Sequence, residues 1–225
     1  MEADDLRFEE HGAVRYNRAA LCALAELEAV SAGCPTERPG VRLHDHSALA
    51  ALLAPERAIG QIAVDRIGPA ARPVRAVLFD KTPATNWALG WHQDRTIAVR
   101  ERHDVPGYGP WSKKAGTIHA EPPFDVIEAM VTLRIHLDDV PPDNAPLLIA
   151  PGSHRMGRIV ETELGAVVDR CGSAACLAQR GDIWAYSTPI VHASSASTSH
   201  GHRRVLQVDY AASALPAPLA WLGIG

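Results

Sequence analysis

The chain has 225 residues, a length that suits one large domain with a substantial core, and single all-β barrels or sandwiches often reach this size. Its 22 Lys and Arg against 26 Asp and Glu give a net charge of −4 and a pI near 6.2. That balance argues against a nucleic-acid partner, and the basic pairs Lys113-Lys114 and Arg203-Arg204 are too short to reverse it. No apolar run approaches the ~18 residues that span a bilayer, and the acidic start Met1-Glu2-Ala3-Asp4-Asp5 is unlike a secretory leader. The expectation is a cytoplasmic protein without a membrane partner; oligomeric state is not legible. Four cysteines, at positions 22, 34, 171 and 176, form no Cys-x-x-Cys pair and read as reduced thiols, with Cys22 on a helix. A Cys171–Cys176 disulfide has no positive support.

Taken in order, Gly12 to Tyr16 reads as a short strand, and Asn17 as the N-cap of an Ala/Leu/Glu-rich helix from Arg18 to Val30. Gly33 to Gly40, with Pro35 and Pro39, is a loop. Ser47 caps a second apolar run, Ala48 to Leu53, and Glu56 to Ile67 supplies another helix that ends at Gly68. The preceding His44-Asp45-His46 resembles a chelating pair, but its place ahead of a helix start favours a solvated loop or cap.

From Val74 the pattern changes to short β-rich runs between Gly/Pro turns: Val74–Phe79, Asn86–Trp91, Val126–Leu137, Pro146–Ile149, Ile183–Tyr186 and Val205–Tyr210. Such a series predicts a mainly β sandwich or barrel of the jelly-roll kind, flanked by N-terminal helices. The organisation expected is a single domain over 1–225. Residues 1–70 pack on a core formed by 74–211, and the polar stretch 100–123 serves as an active-site loop with Tyr108 or Trp111 as wall residues.

The chemistry centres on Trp91-His92-Gln93-Asp94. Residues i and i+2 of a strand share a face, so His92 and Asp94 could hold one metal ion, and a distant histidine would complete a set of two imidazoles and one carboxylate. The tripeptide alone is weak, since His136-Leu137-Asp138 repeats it and His119-Ala120-Glu121 varies it. Context favours the first copy. Downstream lie Leu137-Asp138-Asp139, Pro151-Gly152-Ser153-His154, Gly181-Asp182, His192-Ala193-Ser194 and Arg203. In order and spacing these motifs, over roughly residues 74 to 211, resemble the phytanoyl-CoA dioxygenase family of Fe(II)/2-oxoglutarate-dependent oxygenases.

The resemblance implies a double-stranded β-helix (jelly roll, cupin-like) and an Fe(II) ion held by His92, Asp94 and His192. It further implies 2-oxoglutarate as cosubstrate, bound through its far carboxylate by Arg203 and Ser194, and O2 as oxidant. A guanidinium presents paired donors that match a carboxylate. The implied reaction hydroxylates a small molecule and releases succinate and CO2; related halogenases lack the carboxylate that Asp94 supplies. Asn86 and Lys81, on the segment leading into Trp91, are candidates to reach cosubstrate or substrate. Arg204 should face away from Arg203 as a surface charge or salt-bridge partner. Thr132, Arg134 and His136 share one face of their strand; if that face is interior, Arg134 could meet an acidic substrate group, and if it faces solvent, which is the simpler reading, all three are surface residues. His154 reads as a turn residue, and no partner is evident for His200 or His202. The alternative is a jelly-roll metal protein that does not use 2-oxoglutarate, either a cupin-like isomerase or hydrolase or a binding module. Arg203 and Ser194 separate the two readings, because the alternative needs no carboxylate clamp.

Overall fold

The computed structural model describes residues 5–35, 38, 40–199 and 201–225, so His200 and the first four residues lie outside it. The helices are α1 (Phe8–His11), α2 (Leu24–Ala32), α3 (Ser47–Leu52), α4 (Ala58–Ile67), α5 (Phe124–Glu128) and α6 (Leu164–Cys171). The strands begin with β1 (Ala13–Tyr16), β2 (Gly40–Leu43), β3 (Arg72–Lys81), β4 (Leu89–His92), β5 (Ile97–Val99), β6 (Trp111–Lys114) and β7 (Thr117–Ala120). They continue with β8 (Val131–His136), β9 (Leu147–Ile149), β10 (Ala174–Cys176), β11 (Ile183–Ser187), β12 (His192–Ser194) and β13 (Arg203–Ala211).

Among the described residues these strands form three antiparallel sheets. The largest has the order β1-β11-β8-β13-β3-β2, a second has β10-β9-β12-β4, and a third has β5-β7-β6. Strand alternation gives the large sheet two unlike faces. One carries Leu78, Leu133, Ile135, Leu206 and Val208, which bury against Leu27, Leu49, Leu53 and Ile59 of the N-terminal helical region. This apolar layer is the main core. The opposite face is polar: across the strands Arg42 pairs with Val77, Val77 with Gln207, and Gln207 with Arg134. Residues directly opposed across an antiparallel pair share a face. That face is enclosed, and Val131–His136 is buried along its whole length.

The N-terminal helices differ from the sequence reading in their starts. Arg18 takes a positive φ of 54° and its backbone N–H donates to Asp182, so Asn17 caps nothing and α2 begins only after a short 3-10 turn. The N-cap of α3 is His46, whose ring nitrogen accepts from the Leu49 amide at 3.2 Å, and not Ser47. Gly68, at φ 93°, ends α4 as expected. Gly60 within α4 lies so close to the preceding turn that a Cβ there would sit 2.1 Å from the Ala54 carbonyl oxygen.

Two further expectations need correction. Residues 126–137 are not one strand, since α5 precedes β8. The stretch 100–123 is not a structureless loop, because β6 and β7 form a hairpin that adds to β5. Tyr108 and Trp111 pack on the apolar cluster around Val74, Ile97, Ile127 and Trp221 and are not among the cavity's lining residues; Lys114 and His119 of the hairpin are. All four cysteines are free, which excludes a Cys171–Cys176 bridge, and Cys22 is exposed.

Candidate active site

Between the polar face of the large sheet and the second sheet lies a cavity of about 570 Å³, within the range of small-molecule sites. His92, Asp94 and His192 meet on its wall, with one ligand atom from each lying within 4.8 Å of the others. The convergence follows from register: His192 of β12 pairs directly with His92 of β4, which brings the ring centroids to 4.2 Å. Trp91 packs outward against the cluster of Ala150, Leu164 and Val191, so the next side chain, His92, faces inward. Gln93 locks the turn to Asp94. Its amide nitrogen donates to the Pro189 and Gly157 carbonyls and its oxygen accepts from the Ile159 amide.

The chemistry of these donors suits a divalent metal. Each imidazole places Nδ1 against a backbone carbonyl two residues earlier, Gly90 for His92 at 2.8 Å and Ile190 for His192 at 2.9 Å. A carbonyl only accepts, so Nδ1 carries the proton and Nε2 keeps its lone pair, the arrangement that metal-binding histidines use. Burial, then His92, push the His192 pKa down, which keeps the ring neutral. Burial works against ionisation of Asp94, but Arg75, His192 and His92 outweigh it and hold the carboxyl below its usual range. The Asp94 Oδ2 atom is buried without a hydrogen-bond partner, 3.5 Å from the Arg75 guanidinium. Arg75 is itself held by Asp209, which also accepts from Thr132. This support for Asp94 is absent from the motif and was missed in the sequence.

At another part of the cavity three cations converge, Arg203, Lys81 and Arg134, with Asp80 offsetting part of the charge on Arg203. Arg203 is 2 % exposed; it donates to the Ala145 carbonyl at 2.7 Å, and its Nε has no partner. Burial and then Arg134 push its pKa down to about 9. Lys81 donates to Ser194 Oγ at 2.9 Å and to the Ser195 carbonyl, and burial, followed by Arg203 and Arg134, lowers its pKa to about 7. Arg134 donates to Gln207 Oε1 at 2.9 Å. Thr132, Arg134 and His136 therefore belong to the interior and not to the surface. Both ring nitrogens of His136 are buried without a partner.

Asn86 does not reach the cavity. It is exposed, and its side chain exchanges two hydrogen bonds with the Ser197 backbone, joining two loops. His119 does line the cavity, with Nδ1 against the Thr117 carbonyl and a pKa lowered to about 4 by burial and then Arg75. The period-2 polar pattern could have marked Arg75, Arg134 and Gln207, but alternation does not say which face is enclosed.

The remaining motifs are scaffold. Ser153 Oγ accepts from the Val191 amide at 2.9 Å, fixing the entry to β12 and hence His192. Asp138 takes the Arg204 amide and guanidinium, which anchors the start of β13 with Arg204 facing away from Arg203. Asp182 accepts the amides of Arg18 and Gln179 beside Gly181, whose φ of 92° turns the chain into β11. His154 lies in a 3-10 turn, and His202 finds Asp80 at 3.0 Å.

A jelly roll whose facing sheets enclose two histidines and an aspartate, with buried cations in the same cavity, has the architecture of the cupin-like class and a residue set that could hold one metal ion. The family model described as phytanoyl-CoA dioxygenase (PhyH) matches residues 42–205. The chain belongs to that family, which is one of Fe(II)- and 2-oxoglutarate-dependent oxygenases. No curated protein sequence matches it.

Among solved structures, EctD from S. alaskensis with 2-oxoglutarate and 5-hydroxyectoine aligns at 17 % identity and a TM-score of 0.64, covering 91 % of this chain and 73 % of EctD. HygX from Streptomyces hygroscopicus with nickel and 2-oxoglutarate bound aligns at 14 % and 0.62, covering 91 % and 84 %. EvdMO1 aligns at 19 % and 0.63 over 91 % of this chain, which spans about half of EvdMO1, 48 % of its length. At these identities the likeness shows a shared fold. No helix among the described residues is long and apolar enough to cross a membrane.

Proposed function

We propose that this protein is a non-heme Fe(II)/2-oxoglutarate-dependent oxygenase that hydroxylates a small molecule and releases succinate and CO2. The observation that carries the reading is the placement of His92, Asp94 and His192 in the same cavity as the buried Arg203. His92 Nε2, His192 Nε2 and an Asp94 oxygen would hold the metal and leave positions open for cosubstrate and O2. Bound there, the iron supplies the oxidising power for an unactivated C–H bond, chemistry that no side chain of the protein provides.

The protein's own residues bind, orient and exclude water. Arg203 and Ser194 would hold the far carboxylate of 2-oxoglutarate, and Lys81, already bonded to Ser194, adds a third donor. Arg75 keeps Asp94 ionised and in position. The polar face of the large sheet lines the cavity through Val77, Phe79, Arg134 and Gln207, and the third sheet contributes a wall through His119. Asp94 occupies the position that related halogenases leave to chloride, which supports hydroxylation. A metal protein that does not use 2-oxoglutarate would have no need for Arg203, Lys81 and Arg134 gathered in the cavity that holds the metal ligands.

The test is oxygen-dependent succinate release by the Fe(II)-loaded protein with 2-oxoglutarate across amino acids, acyl thioesters and natural-product-like acids. At least one class should raise succinate formation several-fold and yield a product heavier by one oxygen. No succinate from protein shown to hold iron would defeat the proposal.

A further inference from the structure

The cavity holds more positive charge than the proposed metal and cosubstrate can use. A dicarboxylate offsets a divalent ion, so the surplus lies in the protein's own side chains. Arg134, Arg203 and Lys81 crowd one part of the cavity, where burial first and neighbouring cations second lower the pKa values of Lys81 and Arg203. Arg75 is neutralised by Asp209 and Asp94, and Arg95 by Glu161 together with the Ile159 carbonyl. Two lining cations remain. Arg42, half-buried on edge strand β2, has no ion-pair partner among the described residues, and its Nε is buried without a hydrogen bond. Lys114, at the tip of the β6–β7 hairpin, is exposed at the cavity margin and likewise has no carboxylate partner among the described residues.

These two belong to one corner. His119 lies on β7, paired with β6, and feels repulsion from Arg75, Arg42 and Lys114. Arg42 in turn is disfavoured as a cation first by burial and then by Arg75. Register separates this corner from the inner cations: Arg42, Val77, Gln207 and Arg134 form one row across the sheet, so the residues of two strands lie between Arg42 and Arg134. Across β2 at the same edge, Gly40 lines the cavity beneath Phe79, where an added Cβ would meet the ring at 3.2 Å. A half-buried guanidinium that lines a cavity, has no protein counter-ion among the described residues and keeps a buried, unpartnered Nε is placed to take its counter-charge from a ligand.

We infer that the substrate is an anion whose carboxylate or phosphate group docks on Arg42 and Lys114. This rests on the oxygenase reading, since it assigns the inner cations to 2-oxoglutarate and leaves Arg42 for the substrate. It narrows the substrates to acids or phosphate esters and sets aside neutral and cationic molecules.

The experiment is calorimetry on protein loaded with Ni(II) and 2-oxoglutarate, using phenyl phosphate, benzoate, benzyl alcohol and benzylamine as probes. Phenyl phosphate and benzoate should bind at least tenfold more tightly than the alcohol or the amine. Arg42→Gln should weaken both anions about tenfold without changing affinity for benzyl alcohol, Arg42→Lys should restore part of the loss, and exposed Lys114→Gln should cost about threefold. Equal binding of all four probes, or full anion affinity in Arg42→Gln, would overturn the inference. Should Arg42→Gln fail to fold, the probe ranking on wild type and the Lys114→Gln loss decide it. Failure of the underlying reading looks different: 2-oxoglutarate would not bind, while the effect of Arg42 on phenyl phosphate would still be measurable.

Discussion

Replacing Arg203 by methionine should act in opposite directions on the empty protein and on its affinity for 2-oxoglutarate. The guanidinium is 2 % exposed, donates to the Ala145 carbonyl, and stands near Arg134 and Lys81. A pKa driven from 12.5 to about 9 corresponds to a penalty on the charge on the order of 2–5 kcal/mol. Removing the charge while keeping an aliphatic stem recovers that, less about 1–2 kcal/mol for the Ala145 carbonyl left without its donor. The net is about 0–4 kcal/mol of added stability, at roughly 2–4 °C in Tm per kcal/mol for a chain of this size. Ligand binding should suffer the reverse. Truncating one side of a buried charge pair costs about 2–5 kcal/mol, so the 2-oxoglutarate Kd should rise roughly thirty-fold to a few thousand-fold. Thermal unfolding of the empty protein and calorimetric titration with 2-oxoglutarate read the two effects separately. A lower Tm combined with a less than tenfold change in Kd would make Arg203 a structural residue and refute the reasoning.

Arg75→Met should show the opposite stability sign, a loss of about 3–5 kcal/mol in urea unfolding, because it strands the buried Asp209; adding Asp209→Asn should recover most of it. Lys81, with its pKa near 7 in the empty cavity, sheds its proton above that pH, and a bound carboxylate favours the charged form. Binding of 2-oxoglutarate at about pH 8, above the Lys81 value and below that of Arg203, should therefore take up close to one proton, seen as a buffer-dependent enthalpy, and Lys81→Met should abolish most of it. His136 is buried with both ring nitrogens unpartnered and its pKa driven well below 6.5, so the unfolded chain takes up its proton first. Its contribution is constant above about pH 6.5 and turns against folding as pH falls below that. His136→Leu should thus stabilise more at pH 5 than at pH 8, and an equal gain at both would exclude a titrating role.

The sequence pointed to His92, Asp94 and His192 through the order and spacing of family motifs. The structure brings the three together, but by different means than a shared strand: Asp94 follows a turn beyond the end of β4, and the match of His192 to His92 is a non-local register. Arg203 and Arg204 were separable by strand geometry, as neighbours on a strand point opposite ways. Enclosure was not legible. The alternation of Thr132, Arg134 and His136 with aliphatic residues shows that two faces differ, and the apolar face happens to meet the helices while the polar one lines the cavity. Asn86 shows a similar limit, since proximity in sequence to Trp91 places it near the site but its side chain is taken by Ser197. Short elements were lost for another reason. Helix α5 has five residues and α6 eight, too short to declare themselves by local propensity, and they form because Ile127, Leu164 and Val167 are buried by tertiary packing. The β6–β7 hairpin hid in a polar segment whose pairing with β5 is a non-local fact.

The central claim is that one metal ion, held by His92, Asp94 and His192, binds 2-oxoglutarate in the cavity that Arg203 lines. Anaerobic absorption spectroscopy of the protein titrated with Fe(II) and then 2-oxoglutarate tests it directly. A visible charge-transfer band should develop to one equivalent of iron, should be weakened or lost in Asp94→Ala, and should need far more 2-oxoglutarate to saturate in Arg203→Met. A protein that binds iron at these residues yet shows no band at saturating 2-oxoglutarate would contradict it.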